Sequence, residues 1–447
     1  MIILPSLEIV PAKYNTSTNT LLSQIPIDGT GDFTVTRATS PTTGQSTRVN
    51  ALGQIELVAD NVPRLDYPLG GAVNGCPALL VEPSAQNLAV QSEDFTLSAS
   101  WNTSVAGRTL ATGNVTATLD PYGGNVADLL SDDNTASSTH RMYTASNISI
   151  TSGTTYSTSF FVKANTTPWF EIRLMQSNEV DAGIVGTVFN LTSGTITSGS
   201  GTIQNYGNGW YRCTNIGTSN FTGNGRIFFY VYNSSGTKSY NGTSSNSLYI
   251  FGAQVETGSV ATSYIPTTTA AVTRNADVVS VSGAVSGSIG QLSGTIYAEV
   301  DVRNWVNLSR IFSISDGTAT NRIMTLFNTS NRFRVIIDSG GGAAQVDISS
   351  ASLTNGVHKI AVGYAANDVV FYVNGVLVGS DTTVNIPACS QAFLGKIETS
   401  ASSNFLNDRI RAAALYTTRL TNTQLALLTS PYTSYSSMAS ALSYTLG

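Results

Sequence analysis

What most constrains this chain is a two-residue alternation of apolar and polar side chains that recurs along nearly its whole length, with almost no helical periodicity between the runs. YSTSFFVKA (156–164), WFEIRLMQ (169–176), RIFFYVYN (226–233) and SLYIFGAQVE (247–256) are four such runs. TIYAEVDVRN (295–304), HKIAVGYA (358–365) and VVFYVNGVLVG (369–379) are three more. Each is bounded by Gly, Asn, Ser or Pro, the pattern of half-buried strands separated by turns. Asn374-Gly375 between two apolar runs predicts a two-residue hairpin. One helix is predicted, TNTQLALLTS (421–430), with Thr421 or Asn422 as N-cap and Leu425 and Leu428 facing inward. Regularly spaced strands without intervening helices predict an all-β chain of sandwiches rather than a parallel α/β sheet.

Composition agrees. Only 11% of residues are charged, against roughly 25% in ordinary proteins. Ser, Thr and Asn make up roughly a third, and β-branched Thr suits a half-exposed pleated surface. With 41% hydrophobic and 9% aromatic residues, the chain can bury cores that a disordered one could not. The net charge of −5, from 22 basic and 27 acidic residues, comes without any Lys/Arg cluster. Nucleic acid as a partner is therefore set aside. No apolar run approaches the ~18 residues of a membrane span, and MIILPSLEIVPAK at the start lacks the basic and apolar regions of a secretion signal. Synthesis in a cytoplasm without membrane insertion is expected. Cys76, Cys213 and Cys389 are too far apart for a zinc site, and no disulfide is expected; all three read as small buried hydrophobes. With only His140 and His358, most triad and metal schemes lack their parts.

Composition shifts divide the chain. Residues 1–30 form a Pro-punctuated lead-in and 31–87 a small β-rich module. Residues 88–267 form one large unit, 268–294 a Gly/Ser-bearing linker, 295–430 a second large unit and 431–447 a Ser/Tyr-rich tail. The expectation is two β-sandwiches in tandem preceded by the small module.

Residues 88–277 resemble a module that recurs in tailed-bacteriophage virion and tail proteins. The resemblance rests on NLAVQSEDFTLSASWN (87–102), TYSTSFFVKA (155–164), FNLTSGTITS (189–198), GNGWYRC (207–213) and FGAQVETGSVATSYIPTTTAAVTRNAD (251–277). FTVTRAT (33–39) and VPRLDYPLGGAVNGCPALLVEPSAQN (62–87) resemble the segment that accompanies this module. The module is similar to jelly-roll carbohydrate-binding modules. HKIAVGYAANDVVFYVNGVLVG (358–379) and FLGKIETSASSNFLNDRIRAAALYTTRLTNTQLALL (393–428) resemble a laminin-G or concanavalin-like jelly roll, more loosely. The resemblance implies two jelly rolls and a phage particle component, located in the virion.

Three constellations carry candidate chemistry. Glu299, Asp301 and Arg303 share one strand face and begin like the E-x-D-x-x-E strand of concanavalin-like glycosidases. A retaining glycosidase needs a second carboxylate roughly 5 Å away, but Arg303 and Asn304 stand where it belongs, so a solvated charge ladder is the stronger reading. Asp132 and Asp133, near Asp128, could hold Ca²⁺ in an oxygen-rich loop; turn formation is the alternative, and Asp316-Gly317 has the same status. On the first large unit, alternation puts Trp169, Glu171 and Arg173 on one face of their strand and Tyr230 and Tyr232 on the corresponding face of another. Trp169, Arg173, Tyr230 and Tyr232 are the candidate glycan-binding set, unless these rings pack against a neighbouring segment. Trp101 and Trp210 read as core, and Trp305 as a loop-edge residue.

The chain is thus expected to be a non-enzymatic particle component, a head decoration, fibre or tail-associated protein. Its residues 1–30 would dock onto other virion proteins, and its sandwiches would meet host surface glycans, most effectively as a homo-trimer. A phage depolymerase or glycosidase, and a bacterial surface adhesin, are the alternatives.

Overall fold

Alternation along the strands sorts the apolar side chains into two separate large cores, each between a pair of antiparallel sheets. The computed structural model describes residues 4–11, 14–37, 46–69, 76–102, 110–341, 344–397 and 404–431. One core contains Ile296, Val300, Phe312, Ile314, Phe327, Phe333, Val362, Phe371 and Leu394, all under 2% exposed. Its first sheet runs in the order Val376–Asp381, Asp368–Val373, Gly356–Ala365, Ser293–Val302, Asp408–Tyr416, Ala78–Val81, Leu65–Asp66, with Leu7–Ile9 also on Asp408–Tyr416. The opposing sheet runs Tyr14–Asn15, Thr20–Leu21, Phe33–Thr36, Val278–Ser282, Gln391–Leu394, Arg310–Ser315, Arg322–Asn328, Arg332–Asp338, Val346–Ser349. Asn374 and Gly375 take φ of 50° and 83°, the left-handed pair that a type I′ hairpin requires. The helix Asn422–Thr429 lies over Tyr297, Tyr372 and Tyr416 on the outer face of the first sheet, with Leu425 fully buried. Thr421 is its N-cap, in a reciprocal capping box with Gln424.

The second sandwich faces the sheet Trp101–Asn102, Ser138–Thr144, Gly223–Val231, Trp169–Gln176, Thr187–Asn190, Thr195–Ser198 against the sheet Leu110–Thr112, Asp128–Ser131, Ser247–Thr257, Thr155–Ala164, Trp210–Thr218, Gly201–Gly207. Phe170 stacks between Phe229 and Phe189, both with ring centroids at 5.1 Å, while Phe95, Trp101 and Phe160 close one end. Trp101 and Trp210 are buried, as expected. This sandwich is inserted into the other. The chain leaves through Ala85–Asn87 and returns through Val272–Arg274, and these two crossings pair antiparallel as a two-stranded neck.

At the neck lies a buried ion cluster. The Asp277 carboxylate accepts from Arg37 (2.7 Å) and from Arg64, and Glu82 accepts from Arg64 at 2.7 Å, with Arg274 at 3.4 Å. All five side chains are at most 5% exposed. Glu82 also accepts from the Ser263 N–H and hydroxyl, both at 2.7 Å, and Arg64 donates to Ser263 Oγ and to the Thr47 carbonyl. Burial by itself would raise both carboxyls. The guanidiniums of Arg64 and Arg274 outweigh it at Glu82, and those of Arg64, Arg37 and Arg274 at Asp277, holding both below the usual carboxylate range. FTVTRAT, VPRLDYP, LLVEPSAQN and VTRNAD, prominent in the phage-module resemblance, each contribute a member of this cluster.

The all-β class and the two sandwiches are as read from the sequence; their limits along the chain are not. Leu7, Ile9, Leu21, Phe33, Val35, Leu79 and Val81 belong to the C-terminal core, so 1–30 is not a free docking segment and 31–87 is not a separate module. Backbone pairing joins them to strands more than 200 residues away, which no local pattern reveals. Stretch 268–294 is not a linker: it contains two strands and the buried Arg274 and Asp277. Tail 431–447 lies outside the described residues from 432 on. Cys213 and Cys389 are buried, but Cys76 is exposed, and all three are free thiols. Trp305 packs against Phe327 and Phe333 rather than lying open.

Two outcomes check this arrangement. Deleting residues 1–36 should abolish cooperative unfolding of the C-terminal sandwich, whereas a dispensable docking arm would leave the melting temperature unchanged. Asp277→Asn should cost about 3–5 kcal/mol in urea unfolding, the range for removing one partner of a buried ion pair, while Arg48→Gln in the partly exposed Arg48–Glu56 pair should cost less than about 1 kcal/mol.

Candidate functional site

Strand Trp169–Gln176 buries Phe170, Ile172 and Leu174 in the inserted core and turns Trp169, Glu171, Arg173 and Met175 outward. Its neighbour Gly223–Val231 sets Tyr230 opposite Glu171 and Phe228 opposite Arg173. On the far side, Ser138–Thr144 sets Arg141 opposite Tyr230 and Tyr143 opposite Phe228. The outer face therefore has an aromatic floor of Tyr143, Phe228, Tyr230 and Tyr232, with Met175 among them. Charged groups stand over and around that floor. Lys238 Nζ sits 3.7 Å from the Tyr230 ring centroid and bonds Glu171 at 2.6 Å; the Tyr232 hydroxyl donates to the same carboxylate at 2.8 Å. Arg173 pairs with Asp181 at 2.7 Å, and Arg141 reaches both oxygens of Glu179.

Trp169 is half-buried at the edge of this face, against the turn that carries Gly236. Gly236 has φ +77°, and a Cβ there would lie 3.2 Å from the indole ring, so only glycine allows this approach. Asn233 Oδ1 fixes the turn by accepting from the Ser235 and Thr237 N–H groups.

The structure thus brings Trp169, Arg173, Tyr230 and Tyr232 onto one face, as alternation required. It corrects the role of two of them. Tyr230 and Tyr232 are 7% exposed, and burial pushes the Tyr230 hydroxyl up to about 12. They are floor, not platform; Trp169 and Arg173 are half-buried and reach solvent. Lys238, Asp181 and Glu179 were not singled out from the sequence, because they reach the face from loops rather than from the alternating strands.

Asp132 and Asp133 act as loop staples. Asp132 is buried and accepts from the Asn246 and Thr243 N–H groups and from Asn246 Nδ2. Asp133 bonds His140 Nδ1 at 2.7 Å and the Thr135 hydroxyl. Their oxygens already serve turn and loop donors, the alternative to Ca²⁺ weighed from the sequence, and no cluster of metal-ligating side chains is found among the described residues. Asp316 likewise accepts from the Thr318 N–H and hydroxyl and from Asn321.

Glu299 and Asp301 form the charge ladder. Glu299 pairs with Arg411 at 2.8 Å and with Lys359 at 3.8 Å, and Asp301 pairs with Arg303 at 2.9 Å. Just past this strand, Asp408 is fully buried and its Oδ2 accepts from the Arg303 and Asn304 N–H groups at 2.7 and 2.9 Å. Burial outweighs those bonds and Arg409, and pushes its carboxyl up to about 7.

Residues 275–426 match the Laminin_G_3 family model of the concanavalin A-like lectin/glucanases superfamily. This region is a concanavalin A-like jelly roll. The structure adds to it the strands drawn from residues 7–81. Among solved structures, the chain is similar to the CBM40 of the Ruminococcus gnavus IT-sialidase bound to α2,3 sialyllactose (13% identity, TM-score 0.30, 33% of this chain and 87% of that chain). It is also similar to the NanB sialidase of Streptococcus pneumoniae (18% identity, TM-score 0.29, 35% of this chain and 27% of that chain). Each likeness spans about a third of this chain. No curated protein matches the chain.

A raised carboxyl in the folded state means that the folded chain holds this proton more tightly than the unfolded chain. The stabilisation from protonated Asp408 is full below the ordinary carboxylate value near 4 and is lost as pH rises through about 7. Asp128, pushed up to about 6 by burial, acts in the same direction. In urea titrations across pH 4–7, Asp408→Asn should flatten the fall in stability toward neutral pH; an unchanged slope would contradict this assignment.

Proposed function

We propose that this protein is a non-enzymatic, glycan-binding component of a bacteriophage particle, with Trp169 and Arg173 of the inserted sandwich as its contact residues. The observation that carries the reading is the Trp169 face itself: a half-exposed indole beside ion-paired Glu171, Lys238, Arg173 and Asp181, over a packed aromatic floor. The C–H face of a sugar ring stacks on an aromatic ring, and its hydroxyls bond to fixed donors and acceptors at the edge. Arg173 supplies a planar fork of donors, and strands rather than loops hold both residues in place. A glycosidase is less well supported. The Glu299 and Asp301 carboxylates are tied to Arg411, Lys359 and Arg303, and ordinary charge pairing accounts for them.

The phage setting is supported by the module resemblance of residues 33–87 and 88–277. Weak sugar sites reach useful avidity when several are presented together, which favours a homo-trimer on the particle. Docking to other virion proteins would use a surface other than the buried Leu7, Ile9 and Leu21. No helix among the described residues is long and apolar enough to cross a membrane.

Trp169→Ala should weaken binding to host cells or extracted polysaccharide by about 1–3 kcal/mol, the range for an aromatic anchor, with little change in melting temperature. Unchanged binding with a large drop in melting temperature would make Trp169 a packing residue. Mass spectrometry of purified particles tests the virion assignment directly, and absence of the chain from them would refute it.

A further inference from the structure

A cleft lies away from the Trp169 face, where the hairpin of residues 46–58 meets the inserted sandwich and the neck. It has a volume of about 540 Å³, between Leu57 on the hairpin Ser46–Val49/Ile55–Val58, Tyr122, Glu93 and the extended stretch from Pro266 to Val272 that leads into the neck. The hairpin is tied to the Tyr122 turn by Ile55 N–H donating to the Pro121 carbonyl at 2.8 Å. Glu93 and the stretch 266–272 both belong to strings that resemble the phage module, yet nothing in the ion cluster or the Trp169 face uses them.

Glu93 is partly buried, and its Oε1 accepts from two phenols, Tyr122 at 3.0 Å and Tyr264 at 3.1 Å. Tyr264 is locked in turn by the Ser92 hydroxyl at 2.7 Å. Among the described residues, Oε2 of Glu93 has no hydrogen-bond partner, so one oxygen of a positioned carboxylate is left for a ligand. Burial raises this carboxyl despite the two phenols. Along the opposite wall, the backbone groups of Thr269, Ala270 and Ala271 make no hydrogen bond among the described residues, whereas Thr267 and Thr268 are tied to Ser92 and Gln91. Leu57, Pro266 and Val272 give the cleft apolar walls.

These features select a ligand chemistry. An anion would meet the Glu93 carboxylate. A purely apolar ligand would cover Glu93 and three free peptide units without replacing their water, at a cost for each. A ring with hydroxyls on its edge and C–H groups on its faces satisfies both kinds of wall, and the volume lies within the roughly 300–1,000 Å³ of small-molecule sites. We propose that this cleft is a second binding site, for a neutral saccharide, with Glu93 Oε2 accepting from ring hydroxyls, the peptide groups of 269–271 bonding others, and the Leu57 and Pro266 side chains against the ring faces.

The test uses the full chain with maltotriose, cellotriose, chitotriose and an array of neutral glycans, read by calorimetry and saturation-transfer NMR. At least one neutral glycan should bind. Glu93→Gln should weaken that binding by about tenfold, as expected for a lost hydrogen bond to a charged group. Thr269→Trp, which fills the cleft from an exposed position, should abolish it without lowering the melting temperature. Binding of no neutral glycan to the unmodified chain, or binding that survives Thr269→Trp unchanged, would overturn the proposal. Attachment to cells through Trp169 is measured separately, so either site can fail alone.

Discussion

The Asp277 carboxylate, shared by Arg37 and Arg64 and flanked by Arg274 and Glu82, is the contact on which the rest of the architecture depends. Three guanidiniums and two carboxylates are buried together where the inserted sandwich joins the other. Taking such groups out of water is costly, and only mutual pairing with further hydrogen bonds offsets it. Each ion therefore requires the others to be in place. Because they come from four separate stretches, around 37, 64, 82 and 274–277, correct pairing requires that the N-terminal strands, the hairpin region and both sides of the neck come together at once.

That requirement explains why the inserted sandwich is not simply strung on a linker. Its entry and exit strands pair with one another, and Ser263, near its exit, bonds Glu82 within the cluster. Tyr264 follows directly and reaches Glu93. The same few residues that join the two sandwiches also set one wall of the cleft. The Trp169 face, by contrast, is built wholly within the insertion, from strands whose other side is packed with Phe170, Phe189 and Phe229. A stacked aromatic core beneath a strand fixes the direction of the side chains above it, which is what a weak, shallow ligand contact needs.

Charge is sparse in this chain, and most of it is committed. Glu299, Asp301, Asp132 and Asp133 each look like candidate chemistry in one dimension. In three, each is satisfied by a neighbouring Arg, Lys, His or backbone N–H. Glu93 differs in its partners, two phenols rather than a cation or a backbone N–H.

Much was legible in the sequence because it is local. Period-two alternation placed Trp169 and Arg173 opposite Phe170 and Ile172, Asn374-Gly375 announced its hairpin, and Thr421 or Asn422 ahead of Leu425 and Leu428 announced the α-helix at 422–429. Burial of Tyr230 and Tyr232 was not legible, since Lys238 covers Tyr230 from a loop whose path alternation does not encode. Nor was the insertion: Leu7 pairs with Leu415 and Val35 with Val279, and nothing within a short window specifies a partner hundreds of residues away. The sequence by itself determined which residues form strands and which side of each strand is apolar, because those follow from side-chain chemistry and a fixed backbone period. Only the tertiary structure decided which strands share a sheet and which carboxylates remain free, because both depend on the whole chain burying its ions and sheet edges together.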